Sequence, residues 1–356
     1  MKILFLCKRR PQGRDLITRP YGRFFHLPRL LAQNGHEVHS LFLSYQNEPS
    51  VRKENNGKFW ISESIIPTAP LSYYLRAQEL IRRTSPDWVV GFSDTYYGIL
   101  AEHLGKKFGI HSAIDAYDNY ESYIPWLKPL HLLWRRALNG ATVVTAAGPQ
   151  LAELLGNFRP GKPVRVVPMA ADPGFKPLDK APSRRSLRFP SDKKLVGYCG
   201  SIYRNRGIDV VFQAFESVCR RDSDVELILT GRKQRGIRLP PRSRWLGYLP
   251  DQKLPLLLNS MDVLLVVNML SAFGNFSYPA KLYEAMSCRI PVVATATAPA
   301  RWILCDRRQC LAAPGDSHEL ADKICSLLPM NRFDYGELPR WETSSHAFEE
   351  ALLAGA

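Results

Sequence analysis

The feature that most constrains the fold of this chain is a regular alternation of short apolar strands and helices, which occurs twice in its 356 residues. In the first half, an apolar run at 1–7 precedes a helical pattern through Leu27 and Leu31, and a second strand follows at 37–43. The alternation continues with strands at 88–90, 110–114, 141–145 and 164–167. Strands that alternate with helices usually pair in parallel, so this half is predicted to form a doubly wound α/β sheet.

The stretch 168–192 interrupts this alternation. It is rich in proline, lysine, arginine and serine and has no apolar periodicity, so the domain boundary is predicted here. Beyond it, a helix is predicted over 210–218, and strands are predicted at 195–198, 225–229, 263–267 and 290–294. We therefore predict two Rossmann-like domains, 1–175 and 176–340, followed by a segment over 341–356 with a helix at 346–353. Ligands bind outside the carboxyl ends of such strands, so two facing sheets would form a cleft.

The composition is that of a globular protein, with 45% hydrophobic and 23% charged residues. Nothing approaches the roughly 20 apolar residues of a membrane-spanning helix, and the apolar start is too short for a signal peptide, so a cytoplasmic location is expected. Seven cysteines form no disulfide framework and no paired zinc-binding spacing. They are predicted to be reduced and mostly buried thiols.

The net charge of +15 attracts polyanions, which include nucleic acid, acidic membrane surfaces and phosphorylated small molecules. Charged and aromatic side chains gather after the first strand: Arg14, Asp15, Arg19, Tyr21, Arg23 and Arg29. They can bind an anionic acceptor or lie against acidic lipid headgroups, and a solvated basic face is the alternative.

The segment 274–288 has the pattern of a helix start beside a ligand. Ser277 is predicted to be the N-cap and Pro279 to lie in the first turn, so the free amide groups would point outward to a phosphate. Lys281 and Glu284 share one face of that helix, which places a cation near a diphosphate and a carboxylate near ribose hydroxyls. The alternative is an ordinary surface ion pair.

A second candidate loop follows the strand at 196–198. Gly200 allows the backbone to approach a ligand, and Arg204 and Arg206 can neutralise phosphate oxygens. This loop is neither a GxGxxG motif nor a Walker motif, and a simple turn is the alternative.

An ordered set of short motifs runs through nearly the whole chain. It consists of Gly35–Val38, Pro86–Asp87, Val166–Pro168 with Asp172 and Phe175–Pro177, Tyr198–Gly200 with Arg206–Gly207, Gly231, Leu246–Gly247 with Asp262–Val263, Glu284–Met286 with Pro291–Ala294, and Pro314–Asp316. In this order the set resembles the retaining GT-B glycosyltransferases of the glycosyltransferase family 4 group. The resemblance implies two Rossmann-like domains that face each other across a cleft, with acceptor binding in the first and nucleotide-sugar binding in the second. It also implies that the last helix crosses back to the first domain.

The resemblance implies that Arg206 replaces a phosphate-binding lysine, that Glu284 holds the donor ribose, and that the backbone of 246–249 receives the base. The full donor-binding set is Gly200, Ser201, Arg206, Leu246, Tyr248, Asn275, Phe276, Ser277, Lys281 and Glu284. Three positions depart from the family pattern. Phe276 stands where the first glutamate of an E-x7-E motif is usual, Ser201 replaces an arginine, and 11–14 replaces a glycine pair.

The first domain is expected to hold the acceptor. The strand at 112–114 runs into Asp115 and Asp118, whose carboxylates can orient an acceptor hydroxyl or the donor sugar. Asp118 is the first choice for the catalytic residue and Asp115 the second, with a helix cap or solvated turn as the alternative. Gly13, Arg14 and Arg19 are predicted to bind the acceptor.

These expectations describe a retaining, hexosyltransferase-like enzyme of polysaccharide or glycoconjugate biosynthesis. The donor is expected to be a UDP- or GDP-sugar, and the acceptor a glycan, a lipid-linked compound or a small molecule. No tightly bound cofactor, metal or nucleic acid is expected, and peripheral contact with the inner face of a membrane is left open. The alternatives are a sugar-nucleotide epimerase and a non-catalytic GT-B binding protein for an anionic glycan or a membrane surface.

Overall fold

The computed structural model describes residues 1–46, 48–55, 59–65 and 70–356. These residues form two compact units, one comprising Met1–Ala170 with Pro339–Ala356 and the other Ala171–Leu338. Each unit is built on one sheet with helical crossovers. The two doubly wound α/β halves predicted from the alternation are therefore confirmed.

The first unit contains, in its described residues, a sheet in the order β3-β4-β2-β1-β5-β6-β7-β8. Its strands are β1 Lys2–Lys8, β2 Glu37–Leu43, β3 Lys53–Asn55, β4 Phe59–Ile65, β5 Trp88–Gly91, β6 His111–Ala116, β7 Val143–Ala146 and β8 Val164–Val166. Its helices up to β8 are α1 Arg23–Gln33, α2 Pro70–Thr84, α3 Thr95–Phe108, α4 Lys128–Gly140 and α5 Pro149–Gly156. The pairs from β4 through β8 are parallel, as predicted, but β3 pairs antiparallel with β4 and was not predicted.

The core of this unit follows directly from the apolar runs in the strands. Five consecutive residues of β1, Ile3 to Cys7, are buried, as expected for a central strand covered on both faces. One core cluster comprises Leu4, Leu6, Leu41, Leu43, Tyr73, Ala77, Leu80, Ile81, Val89, Tyr97, Leu100, Ala101 and Leu104. Each fully buried Leu or Ile side chain contributes about 1.5–3 kcal/mol of transfer free energy.

Local capping explains where α3 begins and ends. The Asp94 side chain accepts a hydrogen bond from the Tyr96 amide and caps the amino terminus. Gly109 ends the helix in the left-handed conformation, with φ of +65°. Capping therefore sets both boundaries of this helix.

The second unit contains, in its described residues, a sheet in the order β11-β10-β9-β12-β13-β14 with parallel pairs throughout. Its strands are β9 Lys194–Cys199, β10 Val225–Thr230, β11 Ser243–Trp245, β12 Val263–Val266, β13 Val292–Thr295 and β14 Leu311–Ala312. Its helices are α6 Lys180–Ser186, α7 Ile208–Arg221, α8 Leu254–Ser260, α9 Ala280–Ser287, α10 Ala298–Ile303 and α11 Ser317–Leu327. The strand order reverses between β9 and β12, and such a switch point is where doubly wound sheets bind ligands.

Helix α6 lies inside the stretch 168–192, where the domain boundary was predicted and no helix was. Its Arg184 is buried and donates to the Ser260 carbonyl at 3.0 Å and to Asp262 Oδ2 at 2.6 Å. Lys180 Nζ donates to the other oxygen of Asp262 at 2.7 Å. Polar contacts hold this helix in place. It therefore lacks the apolar periodicity from which the other helices were predicted.

The last helix, α12 Trp341–Leu353, packs on the first unit. The Trp341 ring stacks on His26 of α1, with centroids 5.3 Å apart and planes 10° apart. Glu349 accepts from Asn34 Nδ2 at 2.8 Å and bonds His36 Nε2 at 2.6 Å. The chain therefore returns to the sheet on which it began.

All seven cysteines are free thiols, and Cys7, Cys199, Cys288 and Cys310 are buried, as predicted. Cys305 is exposed. Among the described residues, no helix combines the length and apolar content needed to span a bilayer.

Candidate active site

A candidate site lies at the carboxyl end of the second sheet. A cavity of about 860 Å³ opens where β9, β10 and β11 end. It is lined by Tyr203, Arg204, Asn205, Gly231, Arg232, Lys233, Gln234, Trp245, Gly247 and Tyr248. This is the edge at which parallel α/β sheets bind their ligands.

Backbone hydrogen bonds fix the loops of this cavity against each other. The Gly231 amide donates to the Gly247 carbonyl at 2.8 Å, and the Ile202 amide donates to the Arg232 carbonyl at 2.7 Å. Gly231 has φ of +102°, and a Cβ atom there would collide with the Gly200 carbonyl oxygen. Only glycine satisfies both constraints, so the sequence builds a rigid wall at this point.

Two exposed aromatic side chains face solvent in this cavity. Trp245 is held by a 2.9 Å hydrogen bond from its Nε1 to the Gly231 carbonyl and is 44% exposed. Lys233 Nζ lies 5.4 Å from the centroid of the Trp245 ring. Tyr248 is 72% exposed. An aromatic face with a cation beside it can stack on a planar base and attract an anion at the same time.

Arg206 ends the short 3-10 helix Arg204–Arg206 between β9 and α7. Its guanidinium lies 4.5 Å from the centroid of the Phe273 ring. Burial raises the pKa of Tyr198 to about 12, and the nearby charge of Arg206 opposes that rise. Because the Tyr198 hydroxyl donates to the Ser201 carbonyl at 3.1 Å, Arg206 lies near the Gly200–Ser201 loop.

Lys281 and Glu284 of α9 reach the same end of the sheet. Burial raises the pKa of the Cys199 thiol at the end of β9, Lys281 lowers it and Glu284 raises it. Both side chains therefore lie close enough to Cys199, the last residue of β9, to shift the pKa of its thiol. Glu284 is 3% exposed, which argues against the ordinary surface ion pair that was the alternative.

The predicted helix start at Ser277 is wrong. Helix α9 begins at Ala280 with Pro279 as its N-cap, and no side chain caps it. Ser277 instead ends the preceding 3-10 helix, Gly274–Phe276. The physical reason is Pro279, because the helical region is disfavoured for a residue that precedes proline. Tyr278 is therefore biased towards the extended region, and the helix begins after Pro279.

The remaining donor-site predictions lie in two segments. Asn275 is exposed and Phe276 is half-buried in the 3-10 helix before α9. The Leu246 amide donates to the Leu229 carbonyl at 2.9 Å, and the Gly247 carbonyl accepts from Gly231. These two backbone groups serve the sheet, so a base could use only other groups of 246–249.

In the first unit, Asp115 lies in a buried ion pair. Its side chain is fully buried and receives hydrogen bonds from Arg23 Nε at 2.6 Å and Arg23 Nη2 at 2.5 Å, together with a short one from Thr145. This geometry favours a positioning role for Asp115 over direct contact with a substrate. Arg23 was one of the residues that were expected to bind an anionic acceptor, but it is buried in this ion pair and cannot do so.

Asp118 lies three residues further on, after β6. It is 7% exposed, and its Oδ2 accepts a hydrogen bond from the Tyr123 hydroxyl at 2.7 Å. Tyr123 is 40% exposed, so the pair reaches the surface of the unit. Of the two predicted carboxylates, Asp118 is therefore the one placed near solvent.

The predicted acceptor residues follow β1. Gly13 closes the 3-10 helix Pro11–Gly13 with φ of +77°, the Arg14 guanidinium lies 3.6 Å from the centroid of the Tyr21 ring, and Arg19 is exposed. A network that the sequence did not reveal lies beside them. Asp15 accepts from Arg9 Nε at 3.0–3.1 Å and from Arg10 Nη2 at 2.7 Å.

Glu48 completes this network. It accepts from Arg10 Nη1 at 2.6 Å and Nη2 at 2.8 Å, and it lies 3.0 Å from Arg9 Nη1. Arg10 lowers the pKa of Glu48 to about 2. The adjacent arginines after β1 were the only sign of this network in the sequence. Glu48 lies 38 residues from Arg10, so its pairing with the arginines could not be predicted from the sequence.

Within the residues that the structure describes, no group of three or more His, Cys, Asp or Glu side chains is arranged to hold a metal ion. The sequence also missed Trp245, Lys233 and Tyr203 of the cavity. Each lies within three residues of a motif that was recognised, and that proximity was the only signal.

Comparison with protein families gives two matches. The family described as glycosyl transferases group 1 matches residues 193–329, and the glycosyl transferase 4-like domain matches residues 23–170.

Among curated proteins, the chain is similar to the phosphatidylinositol N-acetylglucosaminyltransferase GPI3 subunit of Saccharomyces cerevisiae. In strain YJM789 the identity is 30% over 297 residues, which is 76% of this chain and 63% of the yeast protein. In strain S288c it is 31% over 298 residues, with the same coverage. The chain thus spans less than two thirds of the length of these relatives.

Among solved structures, Anabaena HepE in complex with UDP has a TM-score of 0.72 at 16% identity, covering 99% of this chain and 100% of that chain. Sucrose-phosphate synthase from Thermosynechococcus elongatus has a TM-score of 0.71 at 16% identity, covering 99% and 94%. At this identity the likeness establishes the fold alone.

Proposed function

We propose that this chain, which matches the glycosyl transferases group 1 family and the glycosyl transferase 4-like domain, transfers a sugar from a nucleotide diphosphate sugar to an acceptor hydroxyl with retention. The observation that carries the proposal is the cavity of the second unit, where Trp245 and Tyr248 lie beside basic side chains. Rings stack on a base and cations offset phosphate charge, so the lining is suited to a nucleotide.

The donor is assigned from the base outward. The base lies against Trp245 or Tyr248, and Glu284 accepts hydrogen bonds from the ribose hydroxyls. The diphosphate lies between Arg206, which follows β9, and Lys281 near the start of α9, so both sides of the switch point contribute positive charge. A UDP-sugar is the first donor to test, since HepE has been solved in complex with UDP and with UDP-glucose.

The same cations explain how the reaction is accelerated. Charge builds up on the diphosphate as the bond to the sugar breaks, and fixed cations stabilise that charge more strongly than they stabilise the ground state. With retention, the acceptor hydroxyl attacks from the face that the diphosphate leaves, and the leaving oxygen can accept the hydroxyl proton. Arg206 and Lys281 are thus assigned to the leaving group.

The acceptor is assigned to the first unit. Asp118 orients the acceptor hydroxyl, Asp115 and Arg23 hold the end of β6 in place, and Gly13, Arg14 and Arg19 bind the acceptor. The name of the curated yeast relatives refers to N-acetylglucosamine and phosphatidylinositol. An N-acetylhexosamine donor and an inositol lipid are therefore the first alternatives to a hexose donor and a glycan.

The test is turnover. The protein is incubated with UDP- and GDP-sugars, alone and with glycan or lipid acceptors, and products are resolved by mass spectrometry and NMR. An α-linked product from an α-configured donor supports the proposal. An inverted product would overturn retention, and isomerisation of the donor without an acceptor would identify an epimerase.

A further inference from the structure

An apolar surface on the first unit has no role in the proposed chemistry. It is formed by the turn before α4 and by two residues on α4: Tyr123, Ile124, Pro125, Trp126, Leu127, Leu132 and Leu133. We call it the Trp126 surface. Trp126 is 75% exposed and Leu132 is 52% exposed, and so many large exposed apolar side chains within eleven residues (123–133) are uncommon on the surface of a monomer.

Hydrogen bonds fix the turn that carries these side chains. The Leu127 amide donates to the Ile124 carbonyl at 3.1 Å, and the Lys128 amide donates to the Trp126 carbonyl at 3.0 Å. His131 Nε2 donates to the Ile124 carbonyl at 3.0 Å. These bonds hold the turn in a conformation in which its apolar residues are exposed.

Helix α4 carries apolar residues on its exposed face as well as on its buried face. One face buries His131, Trp134, Ala137 and Leu138 against the unit, while Leu132 and Leu133 remain exposed. The buried face packs the helix on the unit, and the two exposed leucines take no part in that packing.

The charge around the Trp126 surface indicates what kind of surface would bind there. Residues 122–140 contain no aspartate or glutamate, and Lys128 and Arg136 are exposed. Arg135 is paired with Glu121 through contacts of 2.8 and 2.7 Å. A second copy of this chain, with its net charge of +15, would be repelled, whereas an anionic surface would be attracted.

We propose that the Trp126 surface docks on an anionic lipid bilayer, with Trp126 and Leu127 at the boundary between headgroups and acyl chains and Lys128 and Arg136 against the headgroups. Tryptophan and tyrosine favour this boundary, and basic residues beside an apolar face strengthen binding to anionic lipid. The Tyr123 hydroxyl donates to Asp118 at 2.7 Å, so docking would place that carboxylate at the membrane surface.

The test is sedimentation of the full chain with phosphatidylcholine vesicles, with and without phosphatidylglycerol. It requires no donor or acceptor, so its result is independent of the proposed function. The wild type is expected to bind the anionic vesicles. The double variant Trp126→Ser/Leu127→Ser is expected to bind at least about tenfold more weakly. Lys128→Ala and Arg136→Ala are each expected to weaken binding about fivefold on anionic vesicles alone.

The matched control is Leu71→Ser/Leu75→Ser on α2, where the two leucines are 66% and 55% exposed. It should bind as the wild type does, and equal melting temperatures would show that all variants fold. Wild-type protein that stays in the supernatant with both vesicle types would overturn the proposal. So would a wild-type dimer that the Trp126 double variant converts to a monomer without any vesicle binding.

Discussion

Arg23 of α1 holds Asp115 at the end of β6 through two hydrogen bonds, of 2.6 Å from Nε and 2.5 Å from Nη2. Arg23 Nη1 also donates to the Val167 carbonyl at 2.7 Å, just after β8. Neither side chain is more than 2% exposed. One buried pair therefore ties a helix to the strand that precedes the proposed catalytic carboxylate and to the last strand of that sheet.

Replacing Asp115 with asparagine should destabilise the protein strongly. The change leaves the Arg23 guanidinium buried without a counter-charge, which costs about 3 kcal/mol or more. Urea unfolding measures the loss. The control is Asp322→Asn, whose exposed pair with Arg221 has a 2.5 Å contact and should contribute little, because solvent screens it. Equal losses in the two variants would contradict the structural role of the buried pair.

Gly231→Ala should disturb the cavity wall. The new methyl group would meet the Gly200 carbonyl oxygen, and the backbone there has φ of +102°. We expect a lower melting temperature together with weaker nucleotide binding. Gly236→Ala is the control, because φ is +83° there but nothing lies within 4 Å of the added atom. A Gly231 variant no worse than this control would show that the loops can separate without loss.

Trp245→Ala should weaken binding of the preferred nucleoside diphosphate roughly tenfold or more, since stacking of one base on an aromatic side chain is worth about 1–3 kcal/mol. Isothermal titration calorimetry measures this. Trp126→Ala, which changes an exposed tryptophan of the other unit, should leave the affinity unchanged. If Trp245→Ala also bound normally, the base would lie elsewhere.

Asp118→Asn should lower kcat by about 100-fold, because the amide retains the shape of the side chain but is a weaker hydrogen-bond acceptor and orients the acceptor hydroxyl less well. The affinity for nucleotide should not change, since Asp118 belongs to the acceptor side of the proposal. Undiminished turnover in this variant would remove Asp118 from the mechanism.

The pair of Arg10 and Glu48 predicts a dependence of stability on pH. The hydrogen bonds from Arg10 lower the pKa of Glu48 from 4.5 to about 2, so the charged form is favoured in the folded protein. The stabilisation is fully present above the unfolded pKa and is lost as the pH falls towards 2. The difference in unfolding free energy between wild type and Glu48→Gln should therefore shrink below about pH 4.5. A difference that stays constant down to about pH 3 would contradict it.

Much of this architecture could be predicted because each central strand is a continuous apolar run. Ile3 to Cys7 and Val263 to Leu265 are buried on both faces, so their position in a parallel sheet follows from composition and spacing alone. Helix α6 could not be predicted in this way, because its place depends on Arg184 and Asp262, which are 78 residues apart.

The candidate site also contains residues that could be predicted from the sequence and residues that could not. Arg206, Lys281 and Glu284 follow strands or begin helices, so local patterns predicted that they lie at the carboxyl end of the sheet. The difference between Asp115 and Asp118 was not visible in sequence, because it depends on which carboxylate meets Arg23 from a distant helix. Trp245 was missed because β11, which carries it, has only three residues and no apolar run, so its place at the edge of the sheet is not visible in the sequence.

The most direct test of the proposed function is calorimetric titration of the protein with UDP, GDP, ADP and dTDP, repeated with Arg206→Ala and Glu284→Gln. We predict that one of these nucleotides binds and that both variants lose most of that affinity, since Arg206 is assigned to the diphosphate and Glu284 to the ribose. No binding by any of the four, or undiminished binding in both variants, would contradict the donor site described above.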